Sequence, residues 1–260
     1  MDTLRQLWAA GTPTFGSWLA IPSTLSAEGA ARVGFEYVCV DNQHGVNDYL
    51  TTTSMLQAIT LGGSNAIVRV PWNEPGIIGK MLDAGAQGVV VPMVNSEAEA
   101  RAVVRYACYP PLGARSFGPV MSGMRDPKYA VNANGRVAVV PMVETVEALN
   151  NIDAIVGVPG VNAIYVGPAD LSFSLGLVPQ NNDGEALFED ALAAIVKACR
   201  NAGVVPGIHA SGALAARRLE QGFQMITVSN DMLAMRTRMA AELAESRGAA
   251  PQAGGGKNVY

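Results

Sequence analysis

The sequence has few of the residues that mark several functional classes. Its three cysteines, Cys39, Cys108 and Cys199, are widely spaced in apolar segments, so neither a disulfide framework nor a CxxC metal site is indicated. No segment reaches the roughly 20 apolar residues that span a bilayer, and residues 1–20 lack the basic and apolar regions of a signal peptide. We therefore expect a cytoplasmic protein with reduced thiols and no contact with a membrane.

Positive charge is also scarce. The chain has 18 Lys and Arg against 22 Asp and Glu, a formal net charge of −4. Nucleic-acid surfaces need clustered Lys and Arg, which are not seen here, so we expect no nucleic-acid partner. A small anion can still be bound by a single arginine or a metal. With 49% apolar residues and 28 glycines, the chain is predicted to be globular.

Short β-branched runs alternate with longer segments of helical period, which indicates parallel βα units. The predicted strands are residues 14–20, 37–41, 65–70, 88–94, 136–144, 163–167, 204–210 and 224–229. The predicted helices are residues 24–33, 48–61, 75–84, 96–107, 145–156, 185–202, 211–221 and 231–246. Eight units predict a (β/α)8 TIM barrel, and no GxGxxG follows the first strand to favour a dinucleotide-binding sheet.

Two segments interrupt this rhythm. Residues 108–135, rich in Pro, Gly and Arg, are predicted to form a long loop, and loops of that length are usually functional or disordered. Residues 247–260 are of low complexity and are predicted to be a flexible tail. The prediction is thus one barrel domain over residues 1–246, followed by a tail.

Charged or titratable residues stand where the predicted strands end, and in this fold that is where active sites lie. They are Asp41, His44, Arg69, Glu144, Asp170 and His209. Taken singly, Glu144 suits the first turn of a helix and Asp170 suits a helix cap. Arg69 is harder to dismiss, since a charged side chain within a barrel strand must face the site or be paired. The combination predicts a site at this rim.

The chemistry of this set follows from its members. Carboxylates that end neighbouring strands, Glu144 and Asp170, can point at one hard divalent cation such as Mg²⁺ or Mn²⁺. Such an ion can polarise the carbonyl of a 2-oxo acid, Arg69 can stabilise the enolate, and His44 can take a proton from a hydroxyl. The set predicts a retro-aldol reaction without a Schiff base, because no lysine ends a strand.

Several stretches, in order, resemble the HpcH/HpaI family of class II pyruvate aldolases, which includes 4-hydroxy-2-oxoheptanedioate aldolase and 2-dehydro-3-deoxyglucarate aldolase. They are GSWLAIPS, VDNQHG, VRVPWNE, LDAGAQGVVVPMV, YPPLGARSFGP, VETVEAL and VGPADLSFSLG. The resemblance covers about residues 14–235. It implies a barrel enzyme that uses a divalent metal such as Mg²⁺, Mn²⁺ or Co²⁺, acts on a small 2-oxo acid and an aldehyde, and forms a homo-oligomer, a hexamer or trimer.

The resemblance also implies roles for particular residues. His44 falls on the general base, Asp83 on the acid that raises the histidine's basicity, and Arg69 on the enolate-stabilising arginine. Glu144 and Asp170 fall on the metal ligands. Trp18, Met142, Ala169 and Asp170 fall on substrate-contacting positions, with the backbone amides of Ala169 and Asp170 holding the substrate carboxylate.

Two positions depart from the family pattern. Gln43 replaces a glutamate just before the histidine, and Met142 replaces a glutamine two residues before the metal-binding glutamate. These changes remove a charge and a polar contact, so we expect a different aldehyde acceptor and an effect on the donor. His209 has no family role to match, and it is interpreted either as a pocket-wall residue or as a hydrogen-bonded strand end.

Three functions remain open at this point. The first is a metal-dependent aldolase that reversibly cleaves a 4-hydroxy-2-oxo acid to pyruvate, or a related 2-oxo acid, and an aldehyde. The second is an oxaloacetate decarboxylase or a macrophomate-synthase-like enzyme that makes the same enolate with less need of His44. The third is a catalytically idle barrel that binds a small carboxylate. The last predicted helix carries an apolar stripe of Met232, Met235, Met239 and Leu243 that suits a contact within or between chains.

Overall fold

A computed structural model describes residues 1–248 and contains a closed barrel of eight parallel strands in sequential order. The strands are β1 Thr14–Leu19, β2 Tyr37–Asp41, β3 Asn65–Arg69, β4 Gly88–Val91, β5 Ala138–Val143, β6 Ala163–Val166, β7 Val205–His209 and β8 Met225–Asn230. The predicted TIM barrel is confirmed. Residues 249–260, most of the predicted tail, lie outside the described residues.

The helices occupy the segments between the strands. They are α1 Leu4–Ala9, α2 Thr24–Arg32, α3 Tyr49–Gly62, α4 Pro75–Asp83, α5 Glu97–Ala107, α6 Val120–Arg125, α7 Tyr129–Arg136, α8 Val146–Asn150, α9 Ile152–Val156, α10 Pro168–Ser174, α11 Ala186–Ala202, α12 Ala215–Gln221 and α13 Asp231–Ser246. A 3₁₀ turn, Gly212–Leu214, precedes α12. No helix within residues 1–248 is long and apolar enough to cross a membrane.

Both faces of the strands are buried, which explains their nearly continuous apolar sequence. In β2, Tyr37 and Cys39 pack inside the barrel, whereas Val38 and Val40 pack against the surrounding helices. This alternation has a period of two residues. Asp41 follows Tyr37 and Cys39 at the same two-residue spacing, so its side chain also points into the barrel, at the rim.

Several helices begin at a capping side chain. The side chains of Ser23, Asp48 and Ser96 each accept a hydrogen bond from a backbone N–H in the first turn of the next helix. Helix α3 ends at Gly62, one residue later than predicted, and its C-cap is Gly63, whose φ of +92° is the left-handed conformation that glycine adopts at helix ends.

The prediction misses four local features, one of which is α10, Pro168–Ser174, where no helix was predicted. Residues 145–156 form two short helices, α8 and α9, rather than one. An N-terminal helix, α1, was not predicted; its Leu4 and Trp8 join the core inside the barrel. The long predicted loop at 108–135 contains the helix α6 and most of α7, so about half of it is helical.

The 108–135 segment lies at the amino end of the barrel. It connects α5 to β5, and such connections lie at the end where strands begin. Tyr109 and Asn134 hold its two ends together, with Tyr109 N donating to Asn134 Oδ1 at 2.8 Å, and Arg5 of α1 donates to Asn134 O. The segment therefore stands at the end of the barrel opposite the predicted site of its own chain.

Candidate active site

Arg69 is held inside the barrel rim by Asp41. The two residues are register partners on β2 and β3, and both are buried. Arg69 Nε donates to Asp41 Oδ1 at 2.9 Å and Arg69 Nη2 donates to Oδ2 at 2.5 Å. Burial acts to raise the pKa of Asp41, but the hydrogen bonds and charge of Arg69 bring it below its usual value. The guanidinium is thus fixed as a cation at the site.

Asp41 also shapes the turn that carries His44. Its Oδ1 accepts hydrogen bonds from the backbone N–H groups of Gln43 at 3.0 Å and His44 at 3.3 Å. A Cβ at Gly45 would collide with the carbonyl oxygen of Asp41, so glycine is needed here for close approach of the backbone. His44 is exposed on the same rim as Arg69. One carboxylate therefore positions both the arginine and the predicted base.

Glu144 is a buried carboxylate with both oxygens in defined surroundings. Its Oε1 accepts from the backbone N–H of Met93 at 2.8 Å, and Met93 has a φ of +55°, unusual for a residue other than glycine. A Cβ at position 167 would collide with Glu144 Oε2, so any side chain there would displace that carboxylate oxygen. Burial raises the pKa of Glu144 to about 7, the Met93 N–H lowers it, and the charge of Asp170 raises it.

The helix interpretations of the two acids are not supported. Helix α8 begins after Thr145, whose side chain caps it, so Glu144 precedes the cap. Helix α10 has Gly167 as its N-cap, and Asp170 lies in its first turn without capping it. Neither carboxylate therefore caps a helix, and capping does not explain why the two acids occur at the barrel rim.

These side chains meet around one small cavity. Its lining residues are Trp18, Arg69, Met142, Glu144, Tyr165, Gly167, Pro168, Ala169, Asp170 and His209. Every predicted substrate-contacting residue and both predicted metal ligands are in this set. His44 stands on the rim outside it. The cavity thus brings the arginine and the acid pair together, as their strand ends predict.

Aromatic rings form one wall of this cavity. Trp18 stacks on Tyr165 with ring centroids 5.1 Å apart and meets His209 edge-on at 5.4 Å. The Tyr165 hydroxyl lies 3.2 Å from His209 Nδ1 and 2.5 Å from Thr227 Oγ1, which also bonds the hydroxyl of Tyr37. Burial, with the positive charge of Arg69, lowers the pKa of His209 to about 3, so its ring is neutral. His209 is a wall residue and a hydrogen-bonded strand end at once.

Asp83 is not brought to His44 within one chain. It is the last residue of α4, which runs back from the rim to the amino end of the barrel, about 15 Å away at the usual rise of a five-residue strand. Its Oδ1 accepts from Arg115 Nη2 at 2.5 Å, and that guanidinium lies 4.6 Å from the ring centre of Tyr109. The predicted effect of Asp83 on His44 stays a prediction.

A divalent cation fits the donor set. Within residues 1–248, no cluster of three or more His, Cys, Asp and Glu is placed to hold a metal, so Glu144 and Asp170 would be the protein ligands. Mg²⁺ and Mn²⁺ accept such a pair and leave positions for water and substrate, whereas a structural zinc site needs more ligands. A cation would also offset the repulsion that Asp170 exerts on the buried charge of Glu144.

Sequence reasoning missed the support around these residues. Asp41 was identified as a strand end, but its pairing with Arg69 depends on register. Tyr165 and Thr227 read as ordinary strand residues, and Met93 bears no sequence signal for its backbone conformation. The alternation of β6 could have placed Tyr165 inside, since it is two residues before Gly167.

Fold and site together define a parallel barrel enzyme with an acid pair and a paired arginine at the carboxyl ends of its strands. The model of the HpcH/HpaI aldolase/citrate lyase family matches residues 14–237. The chain is 38% identical to a hydroxypyruvate/pyruvate aldolase of Rhizorhabdus wittichii over 95% of this chain and 99% of that one. It is also 38% identical to a 4-hydroxy-2-oxo-heptane-1,7-dioate aldolase of Salmonella heidelberg over 100% and 99%.

Among solved structures, that of macrophomate synthase superposes with a TM-score of 0.85 at 29% identity, covering 95% of this chain and 89% of that one. The protein belongs to the HpcH/HpaI aldolase/citrate lyase family. It is an aldolase, and so a carbon–carbon lyase.

Proposed function

We propose that this aldolase depends on a divalent metal and reversibly cleaves a 4-hydroxy-2-oxo acid to pyruvate, or a related 2-oxo acid, and an aldehyde. The observation that carries the proposal is the single cavity shared by Arg69, Glu144 and Asp170. A fixed cation beside two carboxylates is suited to an anionic 2-oxo acid whose keto oxygen gains charge during the reaction.

Arg69 stabilises the charge that develops on the keto oxygen. As the C3–C4 bond breaks, its electron pair moves to C3 and the keto oxygen, giving the enolate of the 2-oxo acid. The guanidinium keeps its orientation during this step, because two of its nitrogens are already bonded to Asp41. Electrostatic groups that need no rearrangement are the most effective at stabilising a transition state.

His44 removes the proton from the C4 hydroxyl, so that the departing fragment leaves as an aldehyde. Its position on the turn held by Asp41 puts it on the open side of the rim, where the aldehyde fragment can reach solvent. Addition of a proton at C3 of the enolate then gives the 2-oxo acid. In the synthetic direction each step reverses.

Glu144 and Asp170 would hold the cation. When bound, a divalent cation supplies Lewis acidity that draws electron density from the keto group. The Met93 N–H and the nearby backbone of Gly167 hold the Glu144 side chain, and these two contacts fix the orientation of its carboxylate. The amides of Ala169 and Asp170 are suited to the substrate carboxylate.

The test is cleavage of 4-hydroxy-2-oxo acids by protein treated with a chelator and then supplied with Mg²⁺, Mn²⁺ or Co²⁺. Pyruvate release is followed with a coupled dehydrogenase. We expect release only with metal, and none from Glu144→Gln at any metal concentration that supports the wild type. Release that is unaffected by the chelator, or retained by Glu144→Gln, would contradict the metal assignment.

Oxaloacetate decarboxylation is the second candidate, favoured by the likeness to macrophomate synthase and by the exposed position of His44 outside the cavity. It needs Arg69 and the carboxylates, but no base for a hydroxyl proton. His44→Ala should therefore abolish aldol cleavage and spare decarboxylation. If His44→Ala still cleaves the aldol substrate at the wild-type rate, the base assignment is wrong.

We also infer that the working form is a homo-oligomer in which a neighbouring copy supplies Asp83. Within one chain, Asp83 and His44 stand at opposite ends of the barrel, so any direct effect of the acid on the histidine requires a second copy. Helix α13 has no buried residue, and its stripe of Met232, Met235, Met239 and Leu243 is 40–60% exposed. A second copy is the partner that this stripe suits.

A further inference from the structure

A buried arginine, Arg115, contacts the predicted acid Asp83 at the amino end of the barrel. Arg115 is 5% exposed; its Nη2 donates to Asp83 Oδ1, and its Nη1 donates to the hydroxyl of Tyr129 at 3.0 Å. Among residues 1–248, no acceptor lies within hydrogen-bond distance of its Nε. Burying a guanidinium with one N–H group unpaired costs free energy, so stability alone does not explain this ion pair.

Two aromatic rings hold this guanidinium in place. Its central carbon lies 4.6 Å from the ring centre of Tyr109 and 5.5 Å from that of Tyr129, and the two rings meet edge-on. Burial acts to lower the pKa of Arg115, but Tyr129, Asp83 and Tyr109 together raise it above its usual value. The side chain is therefore a permanent cation held in one orientation.

The backbone around Arg115 folds back on the end of α5. Ala114 N donates to Arg105 O at 2.7 Å, and Arg115 N donates to Cys108 O at 2.9 Å. A Cβ at Gly113 would lie 2.3 Å from Cys108 O, so this close return of the chain depends on the missing side chain. Main-chain contacts that do not involve Asp83 thus set the position of Arg115.

The ion pair uses one oxygen of Asp83. Its Oδ1 accepts from Arg115, no group among residues 1–248 donates to its Oδ2, and the side chain is 27% exposed. The neighbouring carbonyl of Leu82 accepts from Ser122 Oγ at 2.7 Å, which joins the end of α4 to the 108–135 segment. One carboxylate oxygen is thus anchored to a fixed cation, and the other is open to a donor from outside the chain.

We propose that Arg115 is the positioning residue for Asp83, and that it directs the open oxygen of this acid toward the His44 ring of a neighbouring copy. This inference rests on the proposed function, in which a neighbour supplies Asp83. A carboxylate bonded to an imidazole orients the ring and stabilises the positive charge that the ring gains with a proton. Arg115 acts through Asp83, by holding its carboxylate in one orientation.

Two activities separate this role from simple structural support. Aldol cleavage needs the base, whereas oxaloacetate decarboxylation has no hydroxyl proton to remove. Arg115→Met should lower kcat for cleavage about 100-fold with little change in KM, the effect of misplacing a catalytic group by about 1 Å, and should leave decarboxylation within about twofold of the wild type. Arg115→Lys keeps the charge without the planar contact and should lower kcat for cleavage about tenfold.

Arg218→Met is the matched control for loss of a buried arginine. Arg218 is also buried and paired with a partly exposed acid, Asp183, but it belongs to α12. Both activities of this variant should match those of the wild type, and Arg218→Lys provides the milder form of the same change. Circular dichroism and calorimetric Mn²⁺ titration check that each variant is folded and binds metal.

Mixed oligomers test whether Arg115 acts together with Asp83. His44→Ala and Arg115→Met, unfolded and refolded together in equal amounts, should regain about a quarter of the wild-type cleavage, because that fraction of shared sites takes His44 from one chain and the intact Arg115–Asp83 pair from the other. Asp83→Ala mixed with Arg115→Met should regain none, since neither chain carries the intact pair. Native mass spectrometry checks that each oligomer contains both variants.

The outcomes separate this inference from the function on which it rests. Wild-type cleavage by Arg115→Met, an equal loss of both activities, the same loss in Arg218→Met, or recovery in the Asp83→Ala mixture would overturn the role of Arg115 while leaving the aldolase intact. Wild-type cleavage by Asp83→Ala would overturn the shared site, and the inference with it. A wild type that cleaves no 4-hydroxy-2-oxo acid with any metal would overturn the proposed function itself.

Discussion

Asp41 is the residue on which the geometry of the site depends. It bonds two nitrogens of Arg69 and two backbone N–H groups of the His44 turn. The sequence places it at a strand end, but only the register of β2 against β3 pairs it with Arg69. Charged residues are seldom buried unless paired, so the sequence could indicate that Arg69 needed a partner without identifying which acid supplies it.

Asp41→Asn should lower kcat by about 100-fold for both cleavage and oxaloacetate decarboxylation, because a misplaced guanidinium loses transition-state stabilisation. The amide offers one acceptor oxygen where the carboxylate offers two. Glu28→Gln, which breaks the exposed pair with Arg32 on α2, is the control and should have wild-type rates. Loss of cleavage with decarboxylation retained would mean that Asp41 acts through His44 alone.

Glu144 is predicted to destabilise the metal-free protein. Its folded pKa of about 7 lies above the value near 4.3 of an unfolded chain, so the folded state holds the proton more tightly. The penalty is absent below about pH 4, grows as pH rises, and is complete above about pH 7, at about 4 kcal/mol. With a chelator at pH 8, Glu144→Gln should therefore be the more stable protein.

Denaturant unfolding of both proteins between pH 5 and pH 8 checks this prediction. The advantage of Glu144→Gln should shrink as pH falls, and saturating Mn²⁺ should stabilise the wild type alone, because only a ligand that binds the folded state shifts unfolding. Equal pH dependence in the two proteins would show that Glu144 is not the titrating group.

At the scale of elements, the turn from β6 to α10 lies against the two carboxylates that we propose as metal ligands. Gly167 is the N-cap of α10, and its missing side chain is what admits Glu144 Oε2. The sequence predicts a turn in VGPAD, but the reason for glycine is a contact with a residue 23 positions earlier, which local sequence cannot indicate. The pairing of β5 with β6 creates that contact.

Gly167→Ala should weaken metal binding at least about tenfold, because the new methyl must displace a ligand oxygen from a geometry set by Met93 N–H. Calorimetric titration with Mn²⁺ measures the affinity. Gly29→Ala on α2, where a Cβ meets no atom within 4 Å, is the matched control and should bind metal normally. Equal affinity in the two variants would contradict the assigned role of Gly167.

At the scale of the whole molecule, the residues with predicted roles are divided between the two ends of the barrel. His44 and Arg69 follow strands, whereas Asp83 and the 108–135 segment lie where strands begin. His44 can therefore meet Asp83 only if one end of the barrel contacts the opposite end of a neighbouring copy. This arrangement predicts sites completed between copies.

Mixing the inactive variants His44→Ala and Asp83→Ala, unfolded and refolded together in equal amounts, should restore about a quarter of the wild-type activity, because that fraction of shared sites receives both intact residues. His44→Ala mixed with Arg69→Ala is the control. Both residues lie at the same end of the barrel and belong to the same chain, so no site in this mixture contains both of them intact. Full inactivity of the first mixture, in an oligomer shown by native mass spectrometry to contain both variants, would exclude a shared site.

The sequence by itself determined the barrel, its strand order, most helix boundaries and the rim that carries Arg69, Glu144 and Asp170. It could do so because period, capping and turn chemistry are local properties, and parallel strands place their ends together. Only the tertiary structure decided that Asp41 pairs with Arg69, that Met93 and Gly167 hold Glu144, that Trp18 Nε1 has no acceptor among residues 1–248, and that Asp83 stands far from His44. These depend on strand register and on which end of the barrel a residue reaches, so contacts between residues far apart in the chain determine them.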